Sequence, residues 1–177
     1  MSQPLNSKIE ALLQRFHDAM KGDHEKYKNH VYRVFFNCLM LDPNVHNEEK
    51  YAITAVFHDI GIWSDNTIDY LDPSIAQAKK YLTEIEKEDW IREVELMIHW
   101  HHKTGTYEGE HSSIVETFRK ADWIDVSMGL INFGVDKKRL RQNKKLFPNR
   151  GFHFFLIRKI AKNFMKHPLN PLPMFRN

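Results

Sequence analysis

Three widely separated segments of this 177-residue chain supply the side chains best suited to chemistry: His30, the adjacent pair His58 and Asp59, and Asp122. Helical periodicity puts them on faces that are otherwise apolar. His30 shares its stripe with Tyr27, Val31, Val34, Phe35 and Cys38, and Asp122 shares one with Val115 and Phe118. The pair His58-Asp59 lies within the run from Ala52 to Trp63, which is almost wholly apolar, whereas a second pair, His17-Asp18, lies in a polar flank. An inward-facing carboxylate without a partner costs several kcal/mol, so these groups need compensation. One divalent cation held between helices would compensate all four at once. Two imidazoles and two carboxylates suit Mn, Fe, Co, Ni or Zn; Mg is possible but less favoured by imidazole. A polar network satisfied by hydrogen bonds alone is the alternative for the same residues.

Other groups gather around this quartet. Asp125 lies one turn beyond Asp122, placed to stand behind the metal's ligands, to orient a ligand histidine or to pair with a lysine. His101 and His102 follow Ile98 by three and four residues and continue its inward face. Lys103, Arg119 and Lys120 stand near the ends of ligand-bearing helices, where a phosphate could be received. Thr67, Asp69, Tyr70 and Trp63 are candidates for the site entrance, with walls expected from loops 62–72 and 103–110.

The elements that must position these groups read as helices throughout. Ser7, with Glu10 three residues on, looks like a capping box opening a helix that carries Ile9, Leu12, Leu13, Phe16 and Met20 and ends at Gly22. Asp23 is placed to cap the next helix, which Asp42-Pro43-Asn44 stops. A third helix is predicted over 47–60 with Gly61 closing it, and a fourth begins at Asp72-Pro73-Ser74. Two more carry Ile91, Val94 and Ile98, and then residues 110–129. A basic helix over 137–145 follows, and a last helix is predicted to pack Phe154, Ile157, Ile160, Ala161 and Phe164 on the core, with Phe152 and Phe155 also read as core. The expectation is one all-α multi-helix bundle over residues 1–167, with the metal site between helices and a proline-containing extended tail over 168–177.

Composition bounds the rest. One cysteine, Cys38, excludes an internal disulfide and every Cys-based zinc motif. The net charge of only +3 argues against a long nucleic-acid groove, although the basic run from Lys137 to Lys145 could touch an acidic partner. The start lacks a secretory signal and no apolar run is long enough to span a bilayer, so a cytoplasmic protein without a membrane partner is expected. Oligomeric state is left open.

The order His30, then His58-Asp59, then Asp122 resembles the pattern of the HD-domain metal-dependent phosphohydrolases, and the segments Phe57-His58-Asp59-Ile60-Gly61 and Lys120-Ala121-Asp122-Trp123 are similar to that family's. The resemblance covers residues 24–130. It implies a helical HD-type domain in which His30, His58, Asp59 and Asp122 hold one catalytic divalent metal that activates water against a small phosphate ester or nucleotide. Asp59 is then the expected proton acceptor and His102 the group on the leaving oxygen, with His101 and Lys103 toward the substrate and Asp125 behind the ligands. Binuclear relatives resemble the chain at His101-His102 but carry a further histidine, and none occurs here between Asp59 and His99. Nucleotidase relatives place a glutamate three residues after the aspartate, where this chain has Ile62. Relatives of the fold also include hydratases or lyases and iron oxygenases, and a non-catalytic regulatory module is a third expectation.

Overall fold

A computed structural model describes residues 5–166, and within them every regular element is a helix. In order these are α1 (Ser7–Arg15), α2 (His17–Met20), α3 (His24–Leu41), α4 (Glu48–Phe57), α5 (Gly61–Ser64), α6 (Leu71–Glu84), α7 (Ile91–Trp100), α8 (Ser112–Val126), α9 (Lys137–Leu146) and α10 (Phe152–Lys166). The expected tail over 168–177 lies outside the described residues. The all-α bundle is as read from the periodicity, and none of its helices is long and apolar enough to cross a membrane.

The centre is the pairing of α3 with α8, flanked by α4 and α7. The stripe Tyr27, His30, Val31, Val34, Phe35 and Cys38 is buried as a unit, and so are Val115, Phe118, Asp122 and Asp125 facing it. Along the same side of α3, Arg33 and Asn37 extend the polar line inward. Asn37 Nδ2 donates to Ala121 O (3.1 Å) on α8, and Asn143 Nδ2 on α9 donates to Arg33 O (3.1 Å). Those bonds fix the two neighbours of α3 in rotation as well as in distance.

Several boundaries differ from the expected ones. The N-cap of α1 is Asn6, whose Oδ1 accepts from the N–H groups of Lys8 and Ile9 (3.0 and 3.2 Å), so Ser7 is the first helical residue. Glu10 does not complete a capping box; it accepts from Tyr32 Oη (2.7 Å) and Lys28 (2.6 Å) on α3. The first helix breaks at Phe16, which packs edge-on against Phe57. Asp23 caps nothing with its side chain and instead accepts from Lys26 (2.7 Å) and from Trp63 Nε1 (3.3 Å).

Gly61 opens the single turn α5 and does not end a helix. A Cβ there would lie 2.5 Å from Tyr70 O and 2.9 Å from Pro73 Cβ, so glycine is required by close approach. The turn it permits folds the Tyr70 loop back beside His58 and Asp59.

The largest correction concerns α10. Phe152 is fully buried and Phe155 and Leu156 pack on the core, whereas Phe154, Ile157 and Phe164 face outward. The seam is the 152, 155, 156 line: Phe152 and Phe155 are core as expected and Ile160 is half-buried, whereas Phe154, Ile157, Ala161 and Phe164 of the expected stripe are exposed. A helix apolar on both sides gives no periodic signal to choose between them.

Candidate metal centre

His30 reaches the centre from the second turn of α3, and its ring is stacked on Phe152 of α10 (centroids 4.2 Å apart). Its Nδ1 lies 2.7 Å from Asp125 Oδ2. An ionised carboxylate only accepts, so Nδ1 carries a proton and Nε2 is the nitrogen turned to the centre. His58, immediately after α4, is fixed in the same way: Nδ1 donates to Ala55 O at 2.8 Å. On a neutral ring its Nε2 presents a lone pair, and the two Nε2 atoms are 2.9 Å apart, within hydrogen-bond distance. Facing lone pairs at that spacing repel unless a proton or a cation lies between them.

Both carboxylates close on the same point. Asp59 Oδ2 is 3.7 Å from His30 Nε2 and 3.5 Å from His58 Nε2; Asp122 Oδ1 is 3.7 and 3.8 Å from the same two nitrogens. These lengths exceed those of good hydrogen bonds, so the two carboxylates are not tied to the two imidazoles by direct hydrogen bonds. The ligand atoms of His30, His58 and Asp59 lie within 4.8 Å of one another, and this buried trio could hold a metal ion. Asp59 Oδ1 is buried without a regular hydrogen bond among the described residues, with His101 Nε2 3.4 Å away. Imidazole nitrogens and a carboxylate oxygen at this spacing are donor types that suit a divalent transition metal, and Asp122 stands beside the trio.

The surrounding charges follow from burial and partners. Burial drives His58 down to about 3, helped by the neighbouring His101 and His30, and keeps its ring neutral. Burial raises Asp122 to about 6, with Asp59 and Asp125 adding to the effect against the pull of His101 and His30. Burial also opposes ionisation of Asp59, but His58, His101 and His30 outweigh it and hold that carboxyl far below its usual range. Asp125 is ionised despite burial because His30 and Arg33 both donate to it; Arg33 Nη2 lies 2.9 Å from Oδ2 and Nε bonds Oδ1. Asp125 thus ties the ring of His30 to the guanidinium of Arg33.

A cavity of about 140 Å³ reaches this cluster, lined by Asp59, His101, His102 and Asp122, with Tyr70 and Trp123 among its walls. Ile68, Val126, Leu156 and Ile160 complete the lining. The 62–72 loop contributes as expected, but the 103–110 loop does not; α8 and α10 take its place. Trp63 lies elsewhere, stacked on Phe155.

His101 is buried with Nδ1 donating to Ile98 O (2.6 Å), which turns Nε2 toward Asp59. Lys103 is buried in the turn after α7, where its carbonyl accepts from Arg119 and Trp123 (both 3.2 Å), and it does not line the cavity. Arg119 is not available to a phosphate. Glu116 engages it through two bonds (2.6 and 2.8 Å) and also lies 3.7 Å from Lys120.

Sequence reasoning missed Arg33, Phe152, Leu156 and Ile160. Arg33 carried a signal, since it stands three residues after His30 on the same buried face; the α10 residues carried none without the helix orientation. No family model matches this chain, and nothing similar to it was found among the curated proteins or the solved structures.

Proposed function

We propose that this chain is a metal-dependent phosphohydrolase in which His30, His58, Asp59 and Asp122 hold one divalent transition metal. The observation that carries the proposal is the convergence on one buried point of two Nε2 atoms, each aimed by a bond from its own ring's Nδ1, and two carboxylate oxygens that stand beyond hydrogen-bond length from both rings. The resemblance to the HD-domain family agrees with it. A bound divalent ion would lower the pKa of water and draw charge from a phosphate oxygen.

The protein's own groups then have defined tasks. Asp59 Oδ1, the buried oxygen facing His101, accepts a hydrogen bond from the attacking water and aims it. His101 holds that carboxylate in place. Burial pulls His102 well below the usual imidazole range, so it offers a leaving oxygen a hydrogen bond from a neutral ring. Among the described residues no Lys or Arg lines the cavity, so His101 and His102 meet the phosphate, whose charge a bound ion would offset, while Tyr70 and Trp123 shield the reacting centre from water.

The test is a pair of measurements on Asp59→Ala. Metal content and Mn-supported hydrolysis of para-nitrophenyl phosphate and of nucleoside monophosphates should both be lost. Full activity in the variant overturns the proposal. The largely apolar lining favours a second reading, an iron oxygenase or hydratase acting on a small uncharged molecule at the same metal. Oxygen consumption by the iron-loaded protein, without phosphatase activity under any metal, would favour that reading.

A further inference from the structure

The total charge of +3 conceals a sharp partition. Residues 1–136 hold 14 Lys and Arg against 23 Asp and Glu, whereas residues 137–177 hold 12 Lys and Arg and no acidic residue at all. The basic part of the chain also leaves apolar side chains in water. On α10, Phe154, Ile157, Phe164 and Met165 are 69, 63, 54 and 76% exposed. Phe154, Ile157, Ala161 and Met165 recur at three and four residues, and Arg158 and Lys162 run beside them on the same outward side. A shallow hollow of about 610 Å³ follows this edge, bounded by Arg150, Arg158, Lys159 and Lys162 with Phe154 and Phe155; its one carboxylate, Asp23, is paired with Lys26. The segment between α8 and α9 adds Met128, Leu130, Ile131 and Phe133, all exposed.

We propose that α10, with the 128–133 segment, docks this chain on an anionic lipid surface. An exposed apolar strip edged by lysine and arginine, on a helix without an acidic residue, is the pattern of a helix lying in a membrane interface: rings and aliphatic groups enter the headgroup boundary while the cations meet phosphates. A chain with no spanning helix among its described residues can lie on a bilayer in this way. Nucleic acid would engage the cations but leaves Ile157, Met165 and Leu130 without a purpose. Symmetric pairing of two copies would press together two faces of like charge. Val126 from α8 and Leu156 and Ile160 from α10 also line the cavity that reaches Asp59, so docking would bring the approach to the site close to the lipid.

The experiment is co-sedimentation of the full chain with vesicles of phosphatidylcholine alone or mixed with phosphatidylglycerol, at low and high salt. Binding should appear on the mixed vesicles, weaken with salt, and be more than about tenfold weaker on neutral ones. Ile157→Asp and the double variant Arg158→Glu, Lys162→Glu should abolish it while leaving circular dichroism, melting temperature and Mn binding unchanged. The proposal is overturned by no binding to either vesicle, by undiminished binding of Ile157→Asp, or by tighter retention on an oligonucleotide than on vesicles. It is also overturned by a dimer in analytical ultracentrifugation that Ile157→Asp dissolves without any vesicle binding.

Discussion

The interior where α3, α4 and α8 meet and the outer face of α10 depart from the usual partition of polar and apolar groups in opposite directions. Inside, His30, His58, Asp59, Asp122 and Asp125 are each no more than 4% exposed. Outside, Phe154 and Met165 stand in water. The two departures are supported very differently. Three of the inner groups are held by specific bonds, His58 by Ala55 O and Asp125 by both His30 and Arg33, and those bonds aim the remaining atoms at one place. The outer groups belong to no core cluster among the described residues. A polar cluster so tightly aimed calls for a ligand within the fold, and an apolar strip so loosely held calls for a surface beyond it.

The strongest way to break that contrast is to remove the central tie. Asp125→Ala leaves the guanidinium of Arg33 buried beside nothing of opposite charge and frees the ring of His30 to turn. Losing one partner of a buried charged pair costs about 3–5 kcal/mol, so urea denaturation should show a loss of that order. Asp125→Asn keeps a carbonyl acceptor for one of the two donors and should lose less. A cost of about 0.5 kcal/mol or less for Asp125→Ala would mean that the inner groups are not bound into one assembly.

A smaller effect sharpens the inner half of the comparison. Asp122 must give up its proton to serve a cation, and burial has raised it to about 6. The apparent affinity for Mn, followed by calorimetry, should be flat above that pH and fall up to about tenfold for each unit below it, equivalent to about 1.4 kcal/mol. Without metal the sign reverses. A carboxyl raised in the folded state contributes stability that is complete below its unfolded value of 3.8 and is lost as pH rises through 6. His58 works the other way, because its contribution is present above 6.5 and is lost as pH falls through about 3. Added Mn should therefore stabilise the protein more at pH 8 than at pH 5; equal stabilisation would separate Asp122 from the metal.

The same contrast explains what could be read from the sequence. On α3 and α8 the apolar stripes are clean, so a polar residue on the stripe stands out, and His30, Asp122 and Asp125 were visible as misfits. His58-Asp59 was visible because its surroundings are apolar for several residues on each side. The cavity walls were less legible, because the close approach at Gly61 that turns Tyr70 toward the site is a contact between distant segments. On α10, Phe152, Phe154, Phe155, Leu156 and Ile157 cover the helix almost all round, so periodicity could not say which face is dry. The capping box failed for a related reason. Ser7 and Glu10 have the right spacing, but Asn6 competes for the same N–H groups and Tyr32 and Lys28 for the same carboxylate, the latter two from another helix.

The smallest expected effect tests the outer half. Phe154→Ser and Ile157→Ser each remove a large apolar side chain, a change that in a core costs several kcal/mol. Here the side chains are mostly in water already, so thermal unfolding of the free protein should move by no more than about 0.5 kcal/mol. A cost well above that would mean that α10 packs on the bundle through its 154, 157, 161 line. The cations at 158 and 162 would then be rotated away from the apolar strip, and the basic and apolar edges would no longer form one continuous face.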